Sequence, residues 1–174
     1  MDALVTLPAG RWALVLGPRS IHPEMLALAA RLAGLGPLRV LDGGNRFNAY
    51  TISRAVRGRR EVLNRITVAR AFTCHQMLNL LESTPQAGIP FLVLDMLATF
   101  YDEAVSILER QRLLAACIRQ LDRLSQPVSG LVSACLPKVP DRENAALVDM
   151  LEDAAGEVWY PDPPAPKLQT PRLF

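Results

Sequence analysis

The stretch from Gly17 to Glu24 is where residue types and spacing first bear on chemistry. Arg11-Trp12-Ala13-Leu14-Val15-Leu16-Gly17 reads as a buried strand that turns at Pro18, and the pattern after it predicts a helix over 23–35. Such a strand-to-helix junction holds phosphate when it carries G-x-x-x-x-G-K-[ST]. Backbone amides then cradle the phosphates, the lysine neutralises them and the hydroxyl binds magnesium. Counting from Gly17, the last three places of that pattern hold His22, Pro23 and Glu24. Proline has no amide to donate, and a glutamate adds negative charge beside phosphate. Gly17, Arg19 and Ser20 remain as candidate phosphate contacts, at a helix start whose dipole attracts anions. Ser20 reads equally well as a helix cap.

Other reactive side chains are few. His22 and His75 are the two histidines, so no Ser-His-Asp set can be assembled. Cys74 adjoins His75, but neighbours along a helix point about 100° apart and rarely bond to each other. His75 therefore reads as a packing hydrogen-bonder. Cys117 and Cys135 sit in apolar contexts and read as core. Three cysteines at wide, unpatterned spacing argue against a disulfide framework or a zinc site.

Alternating elements position these residues. Strands are expected at 11–17, 38–42, 90–95, 128–135 and 156–160. Helices are expected at 23–35, 48–57, 60–82, 102–124 and 141–155. The register of the 60–82 helix is read from Val62, Ile66, Ala69, Phe72 and Leu80. Proline in the first turn and Gly34 and Gly36 at the end bound the first helix. Pro90-Phe91-Leu92-Val93-Leu94-Asp95 is apolar up to its final aspartate, without alternation, as in a strand buried on both faces of a parallel sheet. Strands and helices in alternation give an α/β fold, a mostly parallel central sheet with helices on both faces. One domain over 1–160 is expected, then a tail over 161–174 with five prolines, extended on the surface or mobile.

Three segments together resemble the RecA/RadA-type recombinases. Arg65 to Leu81, with Ala69-Arg70-Ala71-Phe72, His75-Gln76 and Leu80-Leu81, is similar to a conserved helix of that family. Val40-Leu41-Asp42-Gly43-Gly44-Asn45-Arg46-Phe47 resembles its second core strand and turn, and Phe91 to Tyr101 its Walker B strand and following segment. The resemblance covers 11–160, the ATPase core alone, and implies a RecA-like P-loop NTPase fold without a DNA-binding accessory domain.

The departures from the family pattern are equally informative. The P-loop lysine and hydroxyl are absent. Gly44 stands where the family has the glutamate that activates water. Leu136-Pro137-Lys138 stands where an Asn-Gln pair would sense the γ-phosphate. Asp95 alone survives, as a candidate magnesium ligand or as a cap on the chain's exit from the sheet. Phosphoryl transfer is almost wholly positioning and electrostatic stabilisation, so a pseudo-ATPase is expected, with no catalytic residues and no bound ATP or magnesium.

Charge distribution bears on partners. Residues 1–80 hold 11 arginines against four acidic residues, and residues 81–174 hold eight basic against 13 acidic. Arg54, Arg57, Arg59 and Arg60, with Arg46 near the turn, are the candidate DNA contacts; they read equally as a solvated face. The segments after Asp95 and over 136–144 are too short for the DNA loops of such recombinases. The N-terminal arm Ala3 to Pro8 could add a strand to a neighbour.

No apolar run reaches the ~18–20 residues of a membrane span, and the start of the chain lacks signal-peptide character. A cytoplasmic setting is expected. The expected function is a non-catalytic RecA-like paralogue aiding recombination or repair by binding DNA, a recombinase or itself. The alternatives are an ATPase completed by a partner chain and a protein-only scaffold subunit.

Overall fold

The computed structural model describes residues 10–138 and 141–161. The apolar N-terminal arm and all but the first residue of the proline-rich tail lie outside them. β1 (Trp12–Gly17) is six buried residues in succession, and a 3-10 turn at Arg19–Ile21 leads from it into α1 (His22–Leu35). Pro23 sits in the first turn of α1, where its missing amide costs nothing. The chain then enters β2 (Leu38–Asp42), α2 (Ala49–Ala55), the single turn α3 (Arg60–Leu63) and β3 (Ile66–Arg70). α4 (Cys74–Ser83), β4 (Phe91–Leu94), α5 (Ile107–Ser125), β5 (Gly130–Cys135), α6 (Arg142–Ala154) and β6 (Glu157–Trp159) complete it. Side-chain caps start four helices. Asn48, Thr73, Ser106 and Asp141 accept from the amides of Thr51, Gln76, Glu109 and Asn144, each closing an otherwise orphaned donor.

Six strands form one parallel sheet in the order β3-β2-β4-β5-β1-β6. One face carries a core of Ala13, Val15, Val40, Leu92 and Leu94 under Met25, Leu28 and Ala29 of α1, with Ile52 and Val62 from α2 and α3. The other face packs Leu14, Leu41, Val93 and Val132 against Met77 and Leu81 of α4, Leu114 and Leu121 of α5, and Leu147 and Leu151 of α6. This is the three-layer α/β arrangement expected.

The expected helix over 60–82 is three elements instead. α3 ends at Leu63, β3 adds a sixth strand at the sheet edge, and helix resumes only at Cys74. Val62, Ile66 and Ala69 suit a helical period, but Ile66 and Val68 pack against the α1-side core while Ala69 packs against the other. That two-residue alternation, with β-branched Ile66-Thr67-Val68, belongs to a strand. The remaining elements lie close to their expected bounds, except that the helix expected from 102 starts at Ile107, after a 3-10 turn at Met96–Thr99.

Because every strand runs the same way, the strand ends converge at one edge. Gly17 pairs with Cys135, and Asp42 with Leu94, so the exits of β1, β5, β4 and β2 lie side by side. In open α/β sheets the carboxyl ends of the strands are where ligands bind.

Candidate functional site at the carboxyl edge of the sheet

Two buried aspartates organise this edge. Asp42, fully buried at the end of β2, accepts hydrogen bonds from the amides of Arg46 and Phe47, both at 2.9 Å, and from Arg70 Nε at 3.3 Å. These bonds fold the Gly43–Phe47 turn back over β2, with Asn45 in the left-handed region. The turn delivers Arg46 to Asp95, whose Oδ2 accepts from Arg46 Nε at 3.3 Å.

Asp95 is 1% exposed and itself left-handed, at φ 48°. Its Oδ1 accepts from the Cys135 amide at 3.2 Å, and its own amide donates to Ser133 Oγ at 3.0 Å. The aspartate thus ties the end of β4 to β5. Gly44 packs directly on it: a Cβ placed there would stand 2.6 Å from Asp95 Cβ and Oδ2.

His22, at the first turn of α1, points its Nε2 at the same carboxylate, 3.5 Å from Oδ2 and 3.4 Å from Cys135 Sγ. Its Nδ1 is buried without a hydrogen-bond partner. Burial pushes the His22 imidazole below its ordinary pKa; Asp95 opposes this, and Arg46 and Arg19 reinforce it. Burial, and then the charge of Asp95, push the Cys135 thiol up to about 12. Tyr101 covers the far side, its hydroxyl donating to the Cys135 carbonyl at 2.8 Å, with burial raising its pKa. A neutral imidazole, a protonated thiol and a carboxylate therefore meet beside the Arg46 guanidinium.

The candidate phosphate contacts lie around the rim. Gly17 is buried at the end of β1 against Ile21 and Pro161, while Arg19 and Ser20 are exposed on the 3-10 turn. Ser20 caps neither helix, since the turn and α1 both begin without a side-chain cap bond.

His75 departs from its expected role. Its side chain is half exposed, with Nε2 3.4 Å from Glu109 Oε1 and Nδ1 3.7 Å from Cys74 Sγ. Thiol, imidazole and carboxylate stand in series there, but Cys74 is buried and burial raises its pKa, the opposite of an activated nucleophile.

The candidate DNA arginines divide into two groups. Arg46 belongs to the carboxyl edge. Arg54, Arg57, Arg59 and Arg60 are exposed together on α2, α3 and the turn between them, which includes left-handed Arg57 and Gly58. Arg54 lies over the Tyr50 ring at 5.9 Å, and Arg59 Nε donates to the Val56 carbonyl at 3.2 Å. Arg65 and Arg70, from the same run, are held by the end of α1 and by Asp42.

Sequence reasoning missed His22 and Cys135 as members of one cluster. Their signal was position alone: a histidine at a strand-helix junction and a cysteine ending a buried strand.

Comparison with known proteins places the fold. The chain is similar to the crystal structure of the RadB recombinase, with a TM-score of 0.58 and 16% identity over 77% of this chain and 66% of that one. It is also similar to a DnaB-like replicative helicase described with its interactions with primase, with a TM-score of 0.55 and 10% identity over 87% of this chain and 47% of that one. It spans just under two thirds of the first and under half of the second. The fold is a RecA-type core. No family model matches the sequence, and no curated protein does. Among the described residues no helix is long and apolar enough to cross a membrane.

Proposed function

We propose that this chain is a non-catalytic RecA-like paralogue that assists DNA recombination or repair, binding DNA through the α2–α3 arginines and associating with a recombinase or with itself. One observation carries the loss of catalysis: the carboxyl edge is closed around its own side chains. Asp95, the place of a magnesium-directed carboxylate, is engaged by the Cys135 amide and Arg46 and faced by His22. Gly44, the place of a water-activating glutamate, has no room for a Cβ beside that carboxylate. The β1–α1 junction is a short 3-10 turn followed by His22, Pro23 and Glu24, with neither lysine nor hydroxyl at the cradle positions. These residues do not fit a magnesium nucleotide.

The DNA-directed half of the reading rests on four exposed arginines in one short segment, a residue type suited to bidentate phosphate contacts. Recombinase and helicase neighbours are consistent with work on DNA. Asp95 at the end of β4 favours one other reading, an ATPase whose missing groups come from a partner chain.

The test is fluorescence polarisation of labelled single- and double-stranded DNA across a salt series, with and without ATP–magnesium. Binding that ignores ATP and falls steeply with salt is expected, because each neutralised phosphate releases counterions. ATP-dependent binding would favour the partner-completed ATPase. Absence of binding would leave a protein partner as the only target.

A further inference from the structure

The cluster at the carboxyl edge has a geometry that packing alone does not require. A thiol, an imidazole and a carboxylate serve nucleophilic catalysis when thiol and carboxylate engage opposite ring nitrogens, so that a proton relays through the ring. Here both face the same one. His22 Nε2 stands 3.4 Å from Cys135 Sγ and 3.5 Å from Asp95 Oδ2, and the three ligand atoms lie within 4.8 Å of one another. Cys135 is moreover buried, out of reach of a substrate.

Convergence of N, S and O donors on one point is what a metal ion needs. Zinc bonds of ordinary length at tetrahedral angles put N and S about 3.5 Å apart and N and O about 3.4 Å apart. The His22–Cys135 and His22–Asp95 separations match these values. We propose that His22 Nε2, Cys135 Sγ and Asp95 Oδ2 form a binding site for a thiophilic divalent cation of the zinc class, at the edge where RecA-like relatives would place a nucleotide.

The surroundings suit such an ion. Thiolate and carboxylate together neutralise a divalent charge, and the Cys135 proton passes to solvent as the metal–sulfur bond forms. Asp95 Oδ1 is already fixed by the Cys135 amide, and a carboxylate oxygen has two acceptor positions, of which Arg46 uses one on Oδ2. Arg46 then acts as an outer partner orienting the ligand. His22, with 13% of its side chain exposed, gives the ion its way in. A thiolate ligand selects zinc or cobalt over magnesium. The bound ion cross-links the α1 start to the ends of β4 and β5. Cysteine spacing hid the site because its ligands come from three separate elements.

The experiment uses the full chain, stripped with a chelator and titrated with Co2+ as a spectroscopic stand-in for zinc. A thiolate-to-cobalt charge-transfer band in the near ultraviolet is expected, saturating at a single equivalent, displaced by Zn2+ and untouched by Mg2+. Cys135→Ser and His22→Gln should each abolish the band and weaken Zn2+ binding at least about 100-fold, the upper end of the cost of losing an outer-shell partner. Cys74→Ser should leave both intact. Zn2+ should also raise the wild-type Tm but not that of His22→Gln, a change at a partly open helix start that carries the test even where Cys135→Ser fails to fold. The proposal is overturned by wild-type protein without the band, by a band that survives Cys135→Ser and vanishes in Cys74→Ser, or by an equal Zn2+-induced Tm rise in His22→Gln.

Discussion

Gly44 shows at the residue scale how tightly the carboxyl edge is filled. A Cβ there would meet Asp95 Cβ and Oδ2 at 2.6 Å and Cγ at 2.9 Å. The aspartate cannot swing aside without releasing the Cys135 amide and Arg46. Gly44→Ala should therefore cost about 1–3 kcal/mol, the usual range for overpacking, read as a lower midpoint in urea at unchanged slope. Unaltered stability would mean that the Asp42–Phe47 turn is looser than its hydrogen bonds imply. The sequence located Asp95 at the end of a buried strand and Gly44 in the turn after another, because each counts off from its own strand. It hid the His22–Asp95–Cys135 cluster, because the insertion of β5 between β1 and β4 is a property of sheet order. Nothing local to Cys135 separates a core thiol from one whose strand ends beside another element's histidine.

The strands make a comparable close approach at the element scale. Phe91 of β4 lies opposite Gly130 of β5, and a Cβ on Gly130 would stand 2.0 Å from the Phe91 ring. The aromatic ring fills the space a side chain at 130 would take, which is how two central strands stay in register over a buried face. Gly130→Ala should destabilise by at least about 1–3 kcal/mol. Phe91→Leu alone should also destabilise, because the smaller side chain packs less well. The double variant should be more stable than the two costs added, because leucine at 91 relieves the clash; residues that touch couple in this way. Strict additivity in urea melts would show that Phe91 turns away without cost. β3 illustrates the opposite case. Among the described residues it pairs with β2 alone, and it keeps every residue at least partly exposed, so its apolar pattern is too sparse to distinguish from an amphipathic helix by period. The buried strands were legible as continuous apolar runs; the edge strand was not.

At the scale of the whole molecule, two charged clusters among the described residues lie at opposite edges of the sheet. Arg54, Arg57, Arg59 and Arg60 occupy the connection between β2 and β3, at one edge, whereas α6, with Glu143, Asp149, Glu152 and Asp153, leads into β6 at the other. Charges at opposite edges cannot neutralise one another through short ion pairs, and beyond roughly 8 Å they are largely screened at physiological salt. The arginine surface therefore presents its charge outward. Changing Arg57, Arg59 and Arg60 together to alanine should weaken DNA binding and lower the slope of log affinity against log salt by up to about 2.7 for duplex DNA, near 0.9 for each phosphate no longer neutralised. Tm should change little, since all three side chains are exposed and the single hydrogen bond lost, from Arg59 to the Val56 carbonyl, is worth about 0.5–3 kcal/mol. A lower slope at unchanged Tm would locate the phosphate-binding groups on α2–α3. An unchanged slope in a protein that still binds DNA would move them to Arg19 and Arg46 around the carboxyl edge, where Zn2+ and DNA would then compete for one surface.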